Sequence, residues 1–296
     1  MEKRDSIQKK YIERKLSARR GFLSPAKSKR RKWIRFWIFL ILAALIVFFA
    51  VCGPYFAPCD PLETDYSAAL QAPSREHLFG TDNIGRDVLS RILYGAGNSF
   101  ALTFLMIALV AAIGTILGGI SGYFGGLLDT VLMRITDVLL AFPDSVFAIA
   151  VVGVLGPGLL NTVLALSLIW WTKYARVARG QFAAMRSKDY VTEARFGGAS
   201  TFQILWKYML PNALPQIIIM AAVDVGGMML TLAGLSFLGL SAQPPTPEWG
   251  YMLYEGKSYL QTAPWIMLFA GGAIFLTVIV FNLLGDSIRD ILDPKE

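Results

Sequence analysis

The chain alternates long apolar runs with short polar islands, and the lengths of the runs set its architecture. Residues 33–51 form the first run, led by Trp33 and Trp37 and closed by Pro54, Pro58 and Pro61. A second run, 99–123, carries Gly114, Gly118, Gly119 and Gly122, a spacing that suits close helix packing. A third stretch, 145–172, is 28 uncharged residues interrupted by Gly156-Pro157-Gly158. A membrane crossing takes about 20 residues, so this stretch cannot hold two. The third crossing is therefore predicted to reach back through Pro143 and Asp144 towards Met133, with a kinked, polar inner end. Asp137 and Asp144 on it should face protein or water and not lipid. The fourth crossing takes 160–174, with Trp170 and Trp171 near the interface, the fifth 216–240 and the sixth 263–284. The pattern predicts an all-α polytopic membrane protein with six transmembrane helices.

Composition agrees, with 55% hydrophobic residues, more than a soluble domain carries. Charge adds orientation. The first 36 residues hold 14 Lys and Arg against Glu2, Asp5 and Glu13, while the whole chain is only +7. The basicity is thus a tail, not a folded face, which argues against a nucleic-acid partner. It fits a cytoplasmic segment drawn to anionic membrane lipid. The apolar run that follows is too long for a signal-peptide core, so it reads as a retained anchor. After four crossings comes a second basic island, with Lys173, Arg176, Arg179, Arg186, Lys188, Arg195 and Lys207, on the same side as the N-terminus. The expected partition is a cytoplasmic tail 1–32, a first crossing 33–53 and an outside loop 54–98. A five-helix core 99–285 with a cytoplasmic loop 175–215 follows, then a cytoplasmic tail 286–296.

Within the outside loop, His77, Asp82 and Asp87 invite a catalytic reading. A capped turn feeding an interfacial helix at 87–94, with Val88, Leu89, Ile92 and Leu93 on the membrane surface, accounts for them better. Cys52 and Cys59 are expected to be unpaired and carry no Cys-x-x-Cys spacing. Gly256-Lys257-Ser258 resembles the end of a phosphate loop, but Gly250 sits six residues before Gly256 where the motif needs five. No catalytic residue is assigned.

The polar island at 190–211 reads Tyr190-Val191-Thr192-Glu193-Ala194-Arg195-Phe196-Gly197-Gly198-Ala199-Ser200 and runs on to Leu210-Pro211. Glu193, Ala194 and Arg195 favour helix, the glycine pair breaks it, and 199–210 reads as a second short helix stopped by Pro211. This elbow resembles the cytoplasmic coupling loop of ATP-binding-cassette importer permeases: Glu-Ala-Ala, three residues, Gly, nine residues, Ile-x-Leu-Pro. Thr192 and Tyr208 depart from that pattern at the leading Glu and the Ile. Further stretches resemble the peptide/nickel class of these permeases. They are Gly80-Thr-Asp-Asn-Ile-Gly-Arg-Asp-Val-Leu-Ser-Arg91, Gly122-Tyr-Phe-Gly-Gly126, Asp137 through Phe142-Pro143, Leu235-Ser-Phe-Leu-Gly-Leu240, Pro244-Pro-Thr-Pro-Glu-Trp-Gly250, and Phe281-Asn-Leu-Leu-Gly-Asp286 through Leu292-Asp-Pro294.

The resemblance implies a type I importer fold in a bacterial inner membrane, both termini cytoplasmic, with cytoplasmic coupling helices. It implies as partners a homologous second permease, two ATPase subunits and an extracytoplasmic substrate-binding protein. ATP and Mg would be held by the ATPases, with no cofactor on this chain. Docking would fall to the loop from Tyr190 to Ser200 with Leu210 and Pro211. Glu193 would pair with a basic groove residue, Tyr190 and Phe196 would anchor it, and Gly198 would make the turn.

Asp224, in the middle of the fifth run, is costly in lipid and should face the bundle interior or a path. Met228 lies one helical turn on, beside Met229. One reading makes Asp224, Met228 and Met229 part of a substrate path with weak contacts to a metal or an amine. The other makes Asp224 a buried group bonded to the second permease. The stretches Asp224-Val-Gly-Gly-Met-Met229 and Trp170-Trp-Thr-Lys-Tyr-Ala-Arg176 resemble the nickel branch of this class more than the dipeptide branch, so the resemblance implies nickel, free or chelated, ahead of di- or oligopeptides as cargo. Two other classes stand beside the importer. An intramembrane hydrolase lacks a Ser/His pair, because His77 lies outside the membrane, and an ATP-independent carrier should show a repeat of broken helices.

Overall fold

The computed structural model describes residues 25–292. The basic tail up to residue 24, with Glu2, Asp5 and Glu13, and the last residues 293–296 lie outside the described residues. Among those described there is no strand. The long helices are α1 (Pro25–Phe56), α2 (Val88–Phe124), α3 (Gly126–Leu140), α4 (Asp144–Leu155), α5 (Leu159–Met185), α6 (Asp189–Phe196), α7 (Leu210–Phe237), α8 (Trp249–Gly256) and α9 (Trp265–Leu292).

Among the described residues, four helical segments are long and apolar enough to cross a membrane: α1, α2, the stretch Thr201–Phe237 and α9. Helices α3 and α4 meet at 90°, and taken together they make a fifth. The kink expected at Pro143 is thus a right-angle break, because Pro143 takes an extended conformation that helix cannot continue through. The remaining predicted crossing, 160–174, is the first part of α5, whose second half carries Lys173, Arg176 and Arg179.

Helix directions follow from the closest approaches. Side chains added at Gly114, Gly118 and Gly122 of α2 would meet the carbonyls of Trp171, Ala175 and Arg179 of α5 at 2.5, 2.2 and 2.4 Å. Both series climb in steps of four, so α2 and α5 run the same way along one seam. The bent pair between them must therefore bring the chain back to the starting end. Helices α1 and α2 run oppositely, Gly53 meeting Leu93 and Gly97 meeting Ala50; so do α7 and α9, with Gly226 on Asn282 and Gly285 on Val223.

The seam is a testable part of the fold. Gly118→Val would push a side chain into the Ala175 carbonyl and is expected to cost at least about 1–3 kcal/mol, read as a lower unfolding temperature in detergent. Gly153→Ala, inside α4 where an added methyl meets nothing within 4 Å, should not lower it and should raise it slightly, since alanine favours helix over glycine by about 1 kcal/mol.

Two boundaries differ from the sequence reading. The stretch expected to form a separate interfacial helix at 87–94 is instead the start of α2, with Val88 and Ile92 buried. Its apolar residues face the body of the protein because α1, α8 and α9 pack there. Pro211 also does not stop a helix. Residues Ile204–Met209 form a turn of π-helix, and Leu210 donates to the Leu205 carbonyl five residues back. Pro211 then stands in the first turn of α7, where its missing N–H costs least.

Candidate docking elbow and polar inner face

The elbow is built from two capping motifs placed back to back. Helix α6 ends in a Schellman arrangement: Ala199 N–H donates to the Ala194 carbonyl (3.0 Å) and Gly198 N–H to the Arg195 carbonyl (3.1 Å). Gly198 carries the required left-handed backbone, φ +82°. Ser200 then opens the next helix with a capping box, its hydroxyl accepting from Gln203 N–H (3.3 Å) while Gln203 Oε1 accepts from Ser200 N–H (2.9 Å). The turn is fixed by hydrogen bonds at both ends.

Buried Val191 and Ile204 hold the elbow to the body. It sits at the far end of α2 from Asp87, with Arg195 donating to the Tyr123 hydroxyl (3.4 Å) and Arg186 to the Phe124 carbonyl (3.3 Å). Of the sequence-selected docking residues, Val191 is thus turned inward, whereas Phe196 stands 88% exposed and Tyr190 is at the surface. Phe202 and Trp206, 69% and 51% exposed, lie side by side with ring centres 5.9 Å apart and planes tilted by 45°. They extend the apolar surface and were missed. Their spacing of four residues, with Ile204 inward between them, was the available signal.

Asp224 lies midway along α7, buried, and its Oδ1 accepts from Lys173 Nζ at 2.6 Å. Its partner is therefore on α5 of the same chain. Tyr174 turns its hydroxyl towards the same carboxylate without completing a hydrogen bond. Met228 is fully buried in the cluster around α2, α5 and α7, and Met229 is buried in the cluster around α1, α8 and α9. On the neighbouring turn of α5, Arg176 donates to Asp137 at 2.6 Å, and both side chains are about half exposed.

At the opposite end, the loop after α1 is drawn onto the bundle. Asp87 caps α2 through its Oδ2, accepting from Ser90 N–H (2.7 Å), and its Oδ1 lies 3.0 Å from His77 Nδ1. Trp265 Nε1 donates to the Thr81 carbonyl (3.0 Å) and Trp249 Nε1 to that of Ile92 (2.9 Å). Glu248 caps α8, accepting from Gly250 and Tyr251 N–H. Buried Asp82, Arg86 and Arg91 and partly buried Glu255 form a square of two bases and two acids. Burial alone would lower the Arg86 pKa, but the Glu255 and Asp82 carboxylates outweigh it and hold it above the ordinary value. The motif residues singled out as possible catalysts are spent on structure.

Among the described residues, Cys59, His77 and Asp87 are the group whose ligand atoms come within 4.8 Å of one another. Both cysteines are free thiols. Burial, with Asp87 and Glu63 nearby, raises the Cys59 thiol above its ordinary pKa. A raised pKa lowers the thiolate fraction at any pH below it. Alkylation of Cys59 should therefore be slower at neutral pH than that of a model thiol, and should keep rising with pH after the model thiol has levelled off. A pH–rate series in a Cys52→Ser background reads this directly.

Residues 114–296 match the family described as binding-protein-dependent transport system inner membrane components. The chain belongs to this family. Residues 32–73 match the N-terminal transmembrane domain of oligopeptide transport permease C. A dipeptide transport system permease of Haemophilus influenzae is 41% identical over 264 residues, 87% of this chain and 88% of that one. A glutathione transport system permease of Pectobacterium atrosepticum is 41% identical, covering 91% and 93%, and a nickel transport system permease of Escherichia coli 37%, covering 86% and 92%. A chain of the MetNI methionine ABC transporter, solved in inward facing conformations, shares the fold with a TM-score of 0.52 at 20% identity, covering 68% of this chain and 95% of that one. As a family member, the chain is a multi-pass inner-membrane permease subunit of an ABC importer, and ATP hydrolysis belongs to a separate subunit. That membership replaces the hydrolase and secondary-carrier readings.

Proposed function

We propose that this chain is one of two homologous permeases in an importer that receives cargo from an extracytoplasmic binding protein and passes it to the cytoplasm by alternating access. The elbow from Tyr190 to Ser200, with Phe202 and Trp206, docks into one of two ATPase subunits, which hold ATP and Mg. Both termini lie in the cytoplasm, with the elbow on that side and the loop 57–87 outside. The observation that carries this reading is the elbow itself: a hydrogen-bonded turn, anchored by Val191 and Ile204, that exposes four aromatic side chains, Tyr190, Phe196, Phe202 and Trp206. A rigid lever with an apolar tip can transmit closure of an ATPase pair to α5 and α7 as a rigid-body movement.

The cargo reading shifts with the geometry. Asp224 with Met228 is the pair expected to contact a metal ion in transit. With Lys173 on the carboxylate and Met228 sealed in the core, that pair offers no open contact to a metal ion. Di- or oligopeptides, or nickel carried as a chelate, fit this interior better, and Asp224 enters the path through Lys173. Uptake of a labelled dipeptide should fall to background in cells lacking the chain and return on complementation. Loss of free-nickel uptake with peptide uptake intact would overturn the peptide assignment.

A further inference from the structure

The inner face around Lys173 holds more charge than lipid can accept. Lys173 is 51% exposed although its partner Asp224 lies about 20 Å from either end of α7 at 1.5 Å per residue. Arg176 and Asp137 are half exposed beside it, and Asp144 stands at the start of α4. A lysine, an arginine and three carboxylates grouped here require water or protein opposite them. Lys173, Asp144, Trp170 and Phe142 share one cavity of about 260 Å³ between α4 and α5.

We infer that this cavity is a station for carboxylate-bearing cargo, with Lys173 as the residue that takes the carboxylate. The inference rests on the permease reading above. An ammonium has three donors, and Asp224 uses one, leaving two for a second anion. Trp170 lies with its ring centre 5.8 Å from Nζ, a cation–π contact that holds the head group over the cavity. Asp224 is the positioning residue. Its buried carboxylate holds the Lys173 ammonium at 2.6 Å, and its second oxygen has no hydrogen-bond partner.

Asp144 uses Oδ1 to accept from Ser145 N–H at 2.8 Å. Its other oxygen remains for the cationic end of a zwitterion. The arrangement selects against a bare divalent cation, which Lys173 repels. It accepts a peptide through its terminal carboxylate, or a nickel chelate through a carboxylate of the chelator.

The test places a thiol at the station in the complete transporter. Lys173→Cys is made in a Cys52→Ser, Cys59→Ser background, and uptake of a labelled dipeptide and of nickel with a carboxylate chelator is measured in cells. Lys173→Cys alone should lose at least about tenfold in uptake of whichever cargo the wild type carries. Aminoethyl methanethiosulfonate, which restores an ammonium, should recover most of it, and the sulfonatoethyl reagent should not. The wild-type arm identifies the source of the carboxylate. Lys173→Cys/Asp224→Asn leaves no unpaired buried charge, so it separates loss of the station from loss of folding; the cationic reagent should rescue it less fully than Lys173→Cys, because the carboxylate that positions the ammonium is gone.

Absence of labelling at residue 173, equal effects of both reagents, or full uptake by Lys173→Cys would each overturn the inference while leaving the permease reading intact. Uptake of both cargoes by cells lacking the chain would overturn the cargo reading and the station together.

Discussion

Phe196→Ala should detach the permease from its ATPases without disturbing the permease itself. Phe196 is 88% exposed at the tip of the elbow, so its own fold gains little from it. Seated in a partner groove, a phenylalanine side chain contributes about 1.5–3 kcal/mol, on the order of a ten- to hundredfold change in affinity. Exposed aromatics on a fixed turn are the residues expected to dominate such an interface. The expected result is loss of ATPase subunits on affinity purification of the variant, together with loss of cargo-stimulated ATP hydrolysis. The unfolding temperature of the permease alone should stay at the wild-type value. Trp206→Ala should show the same pattern more weakly, because half of its surface already rests on the bundle. Retention of both ATPases in Phe196→Ala would place the docking surface elsewhere.

What the sequence could and could not show divides along physical lines. Run lengths located four of the apolar spans and the bent pair, because a bilayer sets a minimum apolar length that composition reports directly; the expected crossing 160–174 falls in α5, which is not among those spans. The arithmetic over 145–172 also found the break at Pro143, since 28 residues cannot make two spans. The helix–glycine–helix elbow was legible because Gly197-Gly198 and the Ser200–Gln203 pair are local signals. Long-range contacts were not. Nothing near Lys173 in sequence announces Asp224, 51 residues away, and the expectation of a bond to a second permease missed it for that reason. The start of α2 was misplaced on the same grounds. Val88, Leu89, Ile92 and Leu93 have the spacing of a surface helix, and only the packing of α1, α8 and α9 on them shows that the surface is protein. At Pro211 a local rule failed because π-helix let the chain absorb the missing donor.

Arg91→Met should collapse the outer end of the protein more than any single apolar substitution there. Arg91 is buried, with Nη1 on Asp82 and Nη2 on Glu255 at 2.6 Å. Arg86 bonds the same two acids, its Nε to Asp82 at 2.6 Å and its Nη2 to Glu255 at 2.8 Å. The square ties the loop after α1 to the first turn of α2 and to α8, elements that are 164 residues apart along the chain. Its formation need not add stability, since desolvating four charges is expensive. Breaking it does cost: removing one base leaves two buried carboxylates against one guanidinium, about 3–5 kcal/mol. Arg91→Met should therefore lower the unfolding temperature in detergent and expose the loop 57–87 to protease. Arg91→Met/Glu255→Gln should recover much of the loss, because one acid and one base again remain buried together. If the double variant is as unstable as the single one, lost packing of the Arg91 side chain, and not an unpaired charge, is the cause. The same pair of variants separates folding from transport. A double variant that regains its unfolding temperature but not cargo uptake would show that the square also fixes a surface that transport requires.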